Sequence, residues 1–350
     1  MKVCIYGAGA IGGFIGARLA ASGACQVSVV ARGDTLAALR AHGLRLRQGG
    51  QLMAVPVQAS DDPAALGPQD GVVIAVKGPA LAAVAARIAP LLGPTTWVLP
   101  AMNGVPWWFG AGVPALGNAP LESIDPGGRI AAAIPLARVI GAVVHASTST
   151  SEPGLVEHKM GKGLIVGEPL GDASGGNGAS AASGTSGTSG TSARVQALAS
   201  LLQQAGFEVT ASADVRRDIW YKLWGNMTMN PLTAITGATV DRVLDDPLTR
   251  AFCSAAMAEA AAVGARIGCA IQQTPEDRHQ ITRQLGAFKT SMLQDVEAGR
   301  AIELDALVSA VREIAQRVGL VTPTIDALLG LARLHGRVHG LYPEGKAAPA

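Results

Sequence analysis

Short apolar runs rich in β-branched residues alternate with Ala-rich segments through the first half of the chain. Five of these runs are typical of strands: KVCIY, QVSVV, GVVIAV, TWVLPAM and ARVIGAVVHAS. This alternation predicts a parallel sheet with helices on both faces. From about Asp214 the β-branched runs stop, and long segments with apolar residues at helical spacing take over. We therefore expect an α/β chain: a doubly wound N-terminal sheet followed by an all-α C-terminal domain.

A Gly/Ser/Thr tract, GDASGGNGASAASGTSGTSGTSA, occupies residues 171–193 and contains too little apolar area to order itself. It could be the domain linker. We favour a disordered surface loop within the first domain, because RVQALASLLQQAGFEVTAS then adds one more helix and strand. The predicted domains are 1–213 and 214–340, with a tail at 341–350.

The sequence GAGAIG directly follows the first predicted strand and opens a helix, as the GxGxxG dinucleotide fingerprint requires. Gly7 would permit the tight turn, Gly9 the approach of a pyrophosphate, and Gly12 the close packing of helix on strand. The alternative is a Gly-rich turn without a ligand. We predict a Rossmann-type cofactor site whose turn comprises Gly7, Ala8, Gly9, Ala10, Ile11 and Gly12.

The residue at the end of the second strand distinguishes NAD from NADP, because an acid there binds a ribose hydroxyl and an Arg a 2′-phosphate. VSVVAR ends in Arg32. Asp34, two residues further on, could indicate NAD, but we expect it to cap the next helix. Lys77 and Asn103 stand at the ends of two later strands, where ligands bind in open α/β sheets. A solvated strand end would explain each singly, but together with the glycine turn both indicate one cofactor crevice, and Arg32 favours NADP(H) as the cofactor.

In WYKLWGNMTMNPLTAI, read as a helix running into a turn, Lys222, Asn226 and Asn230 repeat every four residues and share one face. A solvated face is the ordinary explanation. Trp, Leu and Met on both flanks instead favour the lining of a cleft. In AIELDALVSAVREIAQRVGL, Glu303 precedes Leu307 on the apolar face, where it needs a charged partner such as Lys222. A helix-end Glu near solvent is the alternative.

Three further polar residues carry weaker signals. Ser291 lies in a helical segment and could be a surface hydroxyl. His335 and His339 have the i, i+4 spacing of metal ligands, but no third ligand is nearby, and we interpret them as tail residues. No metal site is therefore predicted.

Charge and cysteine content narrow the class of protein. The 28 basic and 26 acidic residues are scattered, which excludes a nucleic-acid partner, and no run reaches the roughly 20 apolar residues of a membrane span. The apolar start of the chain could mimic an export signal, but its glycines suit a strand, turn and helix. Four cysteines without CxxC pairing favour a reducing cytoplasm. The Ala-rich helical half could pair with a second copy as a homodimer.

Taken in order, five motifs resemble those of the 2-dehydropantoate 2-reductase (ketopantoate reductase) family, from Met1 to about Gly340. They are GAGAIG, VK at Val76-Lys77, NG at Asn103-Gly104, KLWGNMTMNPLTAI and TSMLQDVEAGRAIELD. The resemblance implies NADPH-dependent reduction of a 2-oxo acid, expected to be 2-dehydropantoate, to a 2-hydroxy acid.

By that resemblance, Lys222 is similar to the catalytic lysine that protonates the carbonyl oxygen, and Glu303 would face the reacting end of the substrate. Arg32 and Lys77 would contact NADPH. The residues that would hold the substrate are Asn103, Asn226, Asn230 and Ser291. The bulky PWWFG after Asn103 could reshape the pocket or pack between domains. Another 2-oxo or 3-oxo acid, or a non-catalytic NADP sensor, remains the alternative.

Overall fold

A computed structural model describes residues 1–171 and 191–344, so most of the Gly/Ser/Thr tract and the last six residues lie outside it. The chain forms two compact units. The first comprises Met1–Ala111 and Gly127–Asp218. The second comprises Gly112–Pro126 and the described residues from Ile219 on.

The first unit contains a five-stranded parallel sheet in the order β5-β2-β1-β6-β7. Its strands are β1 (Lys2–Tyr6), β2 (Gln26–Val30), β5 (Gln58–Ser60), β6 (Gln69–Ile74) and β7 (Leu92–Pro100). Val3, Ile5, Val29 and Val73 are fully buried in its core, as expected for strands covered on both faces. The strand order reverses between β1 and β6, the kind of position where doubly wound sheets bind ligands.

A second, mixed sheet in the same unit is built around the long strand β9. It comprises β3 (Leu44–Gln48), β4 (Gln51–Val55), β8 (Gly141–Glu152), β9 (Leu155–Gly167) and β10 (Glu208–Ser212). β8 runs antiparallel to β9, whereas β3 and β10 run parallel to it. The helices of this unit are α1 (Ala10–Ser22), α2 (Gly33–His42), α3 (Leu81–Ala85), α4 (Arg129–Ala133) and α5 (Ala193–Gln204).

Arg18 fastens α1 to the end of α5. Its guanidinium donates to the carbonyls of Ala205 and Gly206, each at 3.0 Å, and lies 5.2 Å from the ring centroid of Phe207. A cation over an aromatic face adds to the hydrogen bonds. Arg18 therefore anchors α1, the helix that begins at the glycine turn, to the segment that follows α5.

The second unit is mostly helical. Its helices are α6, which starts in the first unit (Val215–Thr236), α7 (Val240–Asp245), α8 (Pro247–Arg266), α9 (Pro275–Arg283), α10 (Ser291–Glu297), α11 (Ala310–Arg317) and α12 (Pro323–Val338). A π-helical turn, Asp305–Ser309, leads into α11. Leu307, Ala310, Val311 and Ile314 recur at helical spacing and are buried.

The excursion Gly112–Pro126 is pinned to α11 by two charged side chains. The carboxylate of Glu313 accepts from the backbone N–H of Ser123 at 2.8 Å and from its hydroxyl at 2.6 Å. Arg317 donates to the carbonyl of Ala119 at 2.8 Å and pairs with Glu313. The hydrogen bonds to Ser123 contribute to holding the pKa of Glu313 below its usual range despite its burial.

The chain segment after α12 forms a clasp, here defined as Leu341 and Tyr342 with their partners. Both backbone N–H groups donate to the carbonyl of Gly336, at 2.7 and 3.1 Å. Tyr342 donates its hydroxyl to Asp305 at 2.6 Å, and the carbonyl of Leu341 accepts from Ile302 at 2.9 Å. A Cβ on Gly336 would lie 2.7 Å from that of Tyr342, so the close approach requires glycine there.

Several predicted details of the elements are wrong. The helix of Lys222 continues through Pro231 to Thr236 before turning at Gly237. His335 belongs to the last turn of α12 and packs against His339 at 4.3 Å between ring centroids, so it is not a tail residue. Two predicted strands end earlier than expected: β6 stops at Ile74 and β7 at Pro100.

Four strands, β3, β4, β5 and β9, were missed. The GVVIAV strand begins at Gln69, and the ARVIGAVVHAS strand is shifted to Gly141–Glu152. None of the helices in the described ranges is long and apolar enough to cross a membrane.

Candidate functional site

The glycine turn of the first unit is built as the fingerprint requires. Gly7 has φ +98°, and a Cβ on it would lie 2.6 Å from the Val76 side chain. A Cβ on Gly12 would collide with the Gly7 carbonyl oxygen and lie 2.9 Å from the Cβ of Ala75. Both positions therefore exclude side chains, because the backbone of the turn and the residues just after β6 leave no room for a Cβ.

Gly9 differs from its two neighbours in the turn. A Cβ built on it meets no atom within 4 Å, so the space beside it is open. Gly9 is also the N-cap of α1 and has no side chain to occupy the helix end. Backbone N–H groups and the positive end of the helix dipole there suit a phosphate. This open cradle next to β1 and β6 fits the pyrophosphate of a dinucleotide.

Positive charge lies near the end of β1. Arg32 is exposed and is the N-cap of α2, two residues beyond the end of β2, without a side-chain capping bond. Burial raises the pKa of Tyr6 above 10.0, while the charges of Arg87 and Arg32 oppose this shift. Arg87 also donates to the carbonyl of Asp61 at 3.0 Å. It belongs to none of the motifs recognised in the sequence and was therefore not predicted. The expectation that Asp34 caps α2 is wrong, because it lies one residue inside the helix.

Lys77 and Asn103 each lie three residues beyond a strand, after β6 and β7. Lys77 is partly buried and precedes a short 3₁₀ turn, Gly78–Ala80; Asn103 is partly buried in a bend. Because β6 and β7 are parallel neighbours, both residues follow the same edge of the sheet. Two tryptophans, Trp107 and Trp108, follow Asn103. Trp108 packs beside Gly141, and a Cβ on Gly141 would lie 2.9 Å from its indole.

In the second unit, Lys222 emerges from an otherwise apolar part of α6. Leu223, Trp224 and Met227 are each at most 2 % exposed, and the Trp224 indole donates to the carbonyl of Met257 at 2.7 Å. Lys222 itself is partly buried. Burial, aided by the charge of Arg278, lowers its pKa from 10.5 to about 8. A lysine with this pKa can release a proton near neutral pH.

The two asparagines continue the face of Lys222 along α6. Asn226 is partly buried and Asn230 is 5 % exposed. Within residues 1–171 and 191–344, neither side-chain amide makes a hydrogen bond. An amide presents both donors and an acceptor, so this face can bind a polar ligand without adding charge.

Ser291 is the first residue of the helix α10 and is exposed, in agreement with its predicted place in a helical segment. The preceding Thr290 is the N-cap, which accepts from Leu293 N–H at 3.2 Å. Its hydroxyl also lies 2.6 Å from that of Thr233 on α6. Both hydroxyls are buried. This contact fixes the start of α10, and with it Ser291, beside the turn of α6 that follows Asn230.

Glu303 lies outside any helix, although its spacing from Leu307 suggested the first turn of one. It is partly buried between two buried residues, Ile302 and Leu304. Ile302 is held by the clasp, so the position of Glu303 depends on it. Asp305, two residues further on, accepts hydrogen bonds from Ser309 at 3.0 Å and from Tyr342.

Arg278 on α9 is the residue that sequence reasoning missed. Its guanidinium carbon lies 4.9 Å from the ring centroid of Tyr221, and its charge acts on Lys222. In the sequence, Arg278 is one basic residue in a helical segment that precedes TSMLQDVEAGRAIELD. Basic residues are too common in helices for this position to indicate a functional role. Among the described residues, no group of three or more His, Cys, Asp or Glu could hold a metal ion.

Comparison with known proteins covers both units. The family model described as ketopantoate reductase PanE/ApbA matches residues 3–171, and the model of the C-terminal part of the same family matches residues 214–336. The 2-dehydropantoate 2-reductase of Mesorhizobium japonicum is 42 % identical over 98 % of this chain and 100 % of its own length.

Two crystal structures extend the similarity to the fold. One, from Ralstonia solanacearum MolK2, has a provisional assignment as a ketopantoate reductase; it is 53 % identical, covers 97 % of this chain and 99 % of its own, and has a TM-score of 0.88. The other is the 2-dehydropantoate 2-reductase of Geobacter metallireducens GS-15, at 26 % identity, TM-score 0.79 and 95 and 99 % coverage. The predicted fold class is confirmed: a parallel sheet with helices, followed by a mostly helical unit.

Proposed function

The chain belongs to the ketopantoate reductase family, and from this premise we propose that it reduces 2-dehydropantoate to pantoate with NADPH. The observation that carries the proposal is Lys222: a partly buried lysine on the predicted face of α6, with a pKa of about 8. The identity with the Mesorhizobium japonicum 2-dehydropantoate 2-reductase supports this substrate.

Bound NADPH would supply the hydride to the carbonyl carbon. The glycine turn would hold its pyrophosphate, since Gly9 leaves the space that a phosphate needs. Arg32 and Lys77 would contact the nucleotide, and the positive charge of Arg32 and Arg87 near the end of β1 favours a 2′-phosphate, hence NADP(H) over NAD(H).

Lys222 would donate its proton to the carbonyl oxygen as negative charge develops there. An ammonium stabilises that charge, and general acids of this kind contribute roughly 10²- to 10⁴-fold. Because its pKa is about 8, the lysine is protonated at neutral pH yet gives up its proton more readily than an ordinary lysine. Glu303 would face the reacting end of the substrate. The amides of Asn103, Asn226 and Asn230 and the hydroxyl of Ser291 would orient it.

The test follows NADPH oxidation with 2-dehydropantoate and with a panel of other 2-oxo and 3-oxo acids, with NADH in parallel. We expect the highest kcat/KM for 2-dehydropantoate with NADPH. Lys222→Ala should lower turnover by about two or more orders of magnitude while NADPH binding survives. The matched control is Lys289→Ala, because Lys289 is exposed and paired with Glu297 at 2.6 Å.

NADPH binding without turnover of any acid would instead identify a non-catalytic nucleotide-binding protein. Preferred turnover of a different acid would change the substrate and leave the chemistry in place. Near-normal activity of Lys222→Ala would show that the proton donor is another group.

A further inference from the structure

A second cation lies beside Lys222, on the neighbouring row of α6. Tyr221 and Gly225 stand one turn apart on this row, next to the row of Lys222 and Asn226. The Arg278 guanidinium covers it: its carbon lies 4.9 Å from the Tyr221 ring centroid. A Cβ on Gly225 would lie 2.9 Å from Arg278 Nε. Glycine thus lets the guanidinium approach the helix backbone.

Arg278 has no protein anion for a partner in the part of the chain that the structure describes. Its Nε is buried and makes no hydrogen bond there. Arg283, on the same helix, donates to the Asp245 carboxylate and to the Leu244 carbonyl, each at 2.8 Å. A buried donor on a charged group is costly to leave unpaired. Arg283 thus has an anionic partner among the described residues, whereas Arg278 on the same helix has none. This difference indicates that the Arg278 guanidinium binds an anionic ligand.

We propose that Arg278 binds the carboxylate of the 2-oxo acid substrate, an inference that rests on the proposed function. In a 2-oxo acid the carboxylate is bonded directly to the carbonyl carbon. When Lys222 contacts the carbonyl oxygen, the carboxylate therefore lies next to it and can reach the guanidinium of Arg278. A guanidinium pairs with a carboxylate through two parallel hydrogen bonds. The site would therefore select acids over their esters and amides.

Carboxylate binding would also act on Lys222. In the free enzyme the charge of Arg278 helps to lower the pKa of Lys222. A bound carboxylate neutralises Arg278 and removes this repulsion, so the lysine holds its proton more firmly until hydride transfer creates the alkoxide. Substrate binding and protonation of the donor are thereby coupled.

The first test is Arg278→Gln. We expect KM for 2-dehydropantoate to rise roughly 10- to 100-fold, as for the loss of hydrogen bonds between charged groups. The preference for the acid over its methyl ester should collapse, and the basic limb of kcat/KM against pH should move upward from about 8. Arg278→Lys should restore part of the affinity. Arg283→Gln is the matched control and should alter none of these values.

A second variant guards against loss of folding. Gly225→Ala keeps Arg278 but displaces its guanidinium, and alanine favours a helix interior more than glycine does. It should fold at least as well as the wild type and reproduce the loss of acid-over-ester preference. If Arg278→Gln unfolds, this variant decides the question.

Calorimetric titration with pantoate provides a readout that needs no turnover. Binding to the wild type that weakens at least tenfold in both variants supports the role of Arg278. An active wild type whose variants keep normal KM, ester discrimination and pantoate affinity overturns this inference alone. A wild type that neither reduces any oxo acid nor binds pantoate overturns the proposed function together with it.

Discussion

Replacing Lys222 by methionine removes an ammonium from an apolar part of α6 and should stabilise the fold at neutral pH. The folded chain holds the pKa of this lysine at about 8, against 10.5 ordinarily. At about 1.4 kcal/mol per pH unit, this difference corresponds to about 3 kcal/mol of folding free energy lost to the charged lysine. Methionine has a similar length and carries no charge.

The sign follows from proton binding. Between pH 8 and 10.5 the unfolded chain keeps the lysine proton while the folded chain has released it, so stability rises with pH in that window. Below pH 8 both states carry the proton and the cost is complete; above 10.5 neither does and the cost is absent. The advantage of Lys222→Met should therefore decline by about 3 kcal/mol from pH 7 to 10.5.

Urea unfolding of wild type and Lys222→Met at pH 7, 8, 9, 10 and 10.5 measures this difference. Burial raises the pKa of Cys4 and of Cys253 to about 12, which destabilises both proteins above pH 9 and cancels in the comparison. Changes in packing do not vary with pH and cancel in the slope. A difference that stays constant within about 0.5 kcal/mol, as expected for Lys289→Met, would refute the assigned environment of Lys222.

Three further predictions concern the two units. Gly12→Ala should abolish NADPH binding or folding of the first unit, because its Cβ collides with the backbone of the turn, whereas Gly9→Ala should leave the urea midpoint near normal and weaken NADPH binding. Arg32→Gln should raise KM for NADPH severalfold and leave that for NADH nearly unchanged in steady-state assays. Thr290→Val should destabilise the fold by about 0.5–2 kcal/mol in urea, because it removes the N-cap hydroxyl that accepts from the Leu293 N–H; an unchanged midpoint would argue against that cap.

The sequence predicted those parts of the fold that local patterns determine. Alternating β-branched runs mark strands buried on both faces, and β1 and β2 were found to the residue. The missed strands are different in kind. β3 and β4 are polar or partly exposed, with the pattern LRLRQ and QLMAV. They join the rest of their sheet through the pairing of β3 with β9, in which Arg45 lies opposite Leu155. Such strands depend on tertiary pairing, which periodicity does not reveal.

The candidate site shows the same limit. Lys222, Asn226 and Asn230 could be predicted as one face because helical spacing alone places them there. Glu303 was assigned to a helix that begins after it, because the spacing to Leu307 cannot show where a helix starts. Arg278 could not be anticipated at all: its closeness to Lys222 arises from the packing of α9 on α6 at Gly225.

The clasp determines where the chain can be shortened or tagged without disturbing Glu303. Leu341 and Tyr342 lie beyond the 214–336 match to the family and look expendable on an alignment. Yet they form hydrogen bonds with Ile302, one residue before Glu303, and with Asp305, two residues after it. Shortening the gene at Gly340, or fusing an affinity tag directly to it, would remove that support. Such a product would keep its cofactor turn and its lysine and still be a poor enzyme, so a tag belongs after the last residue or at the other end.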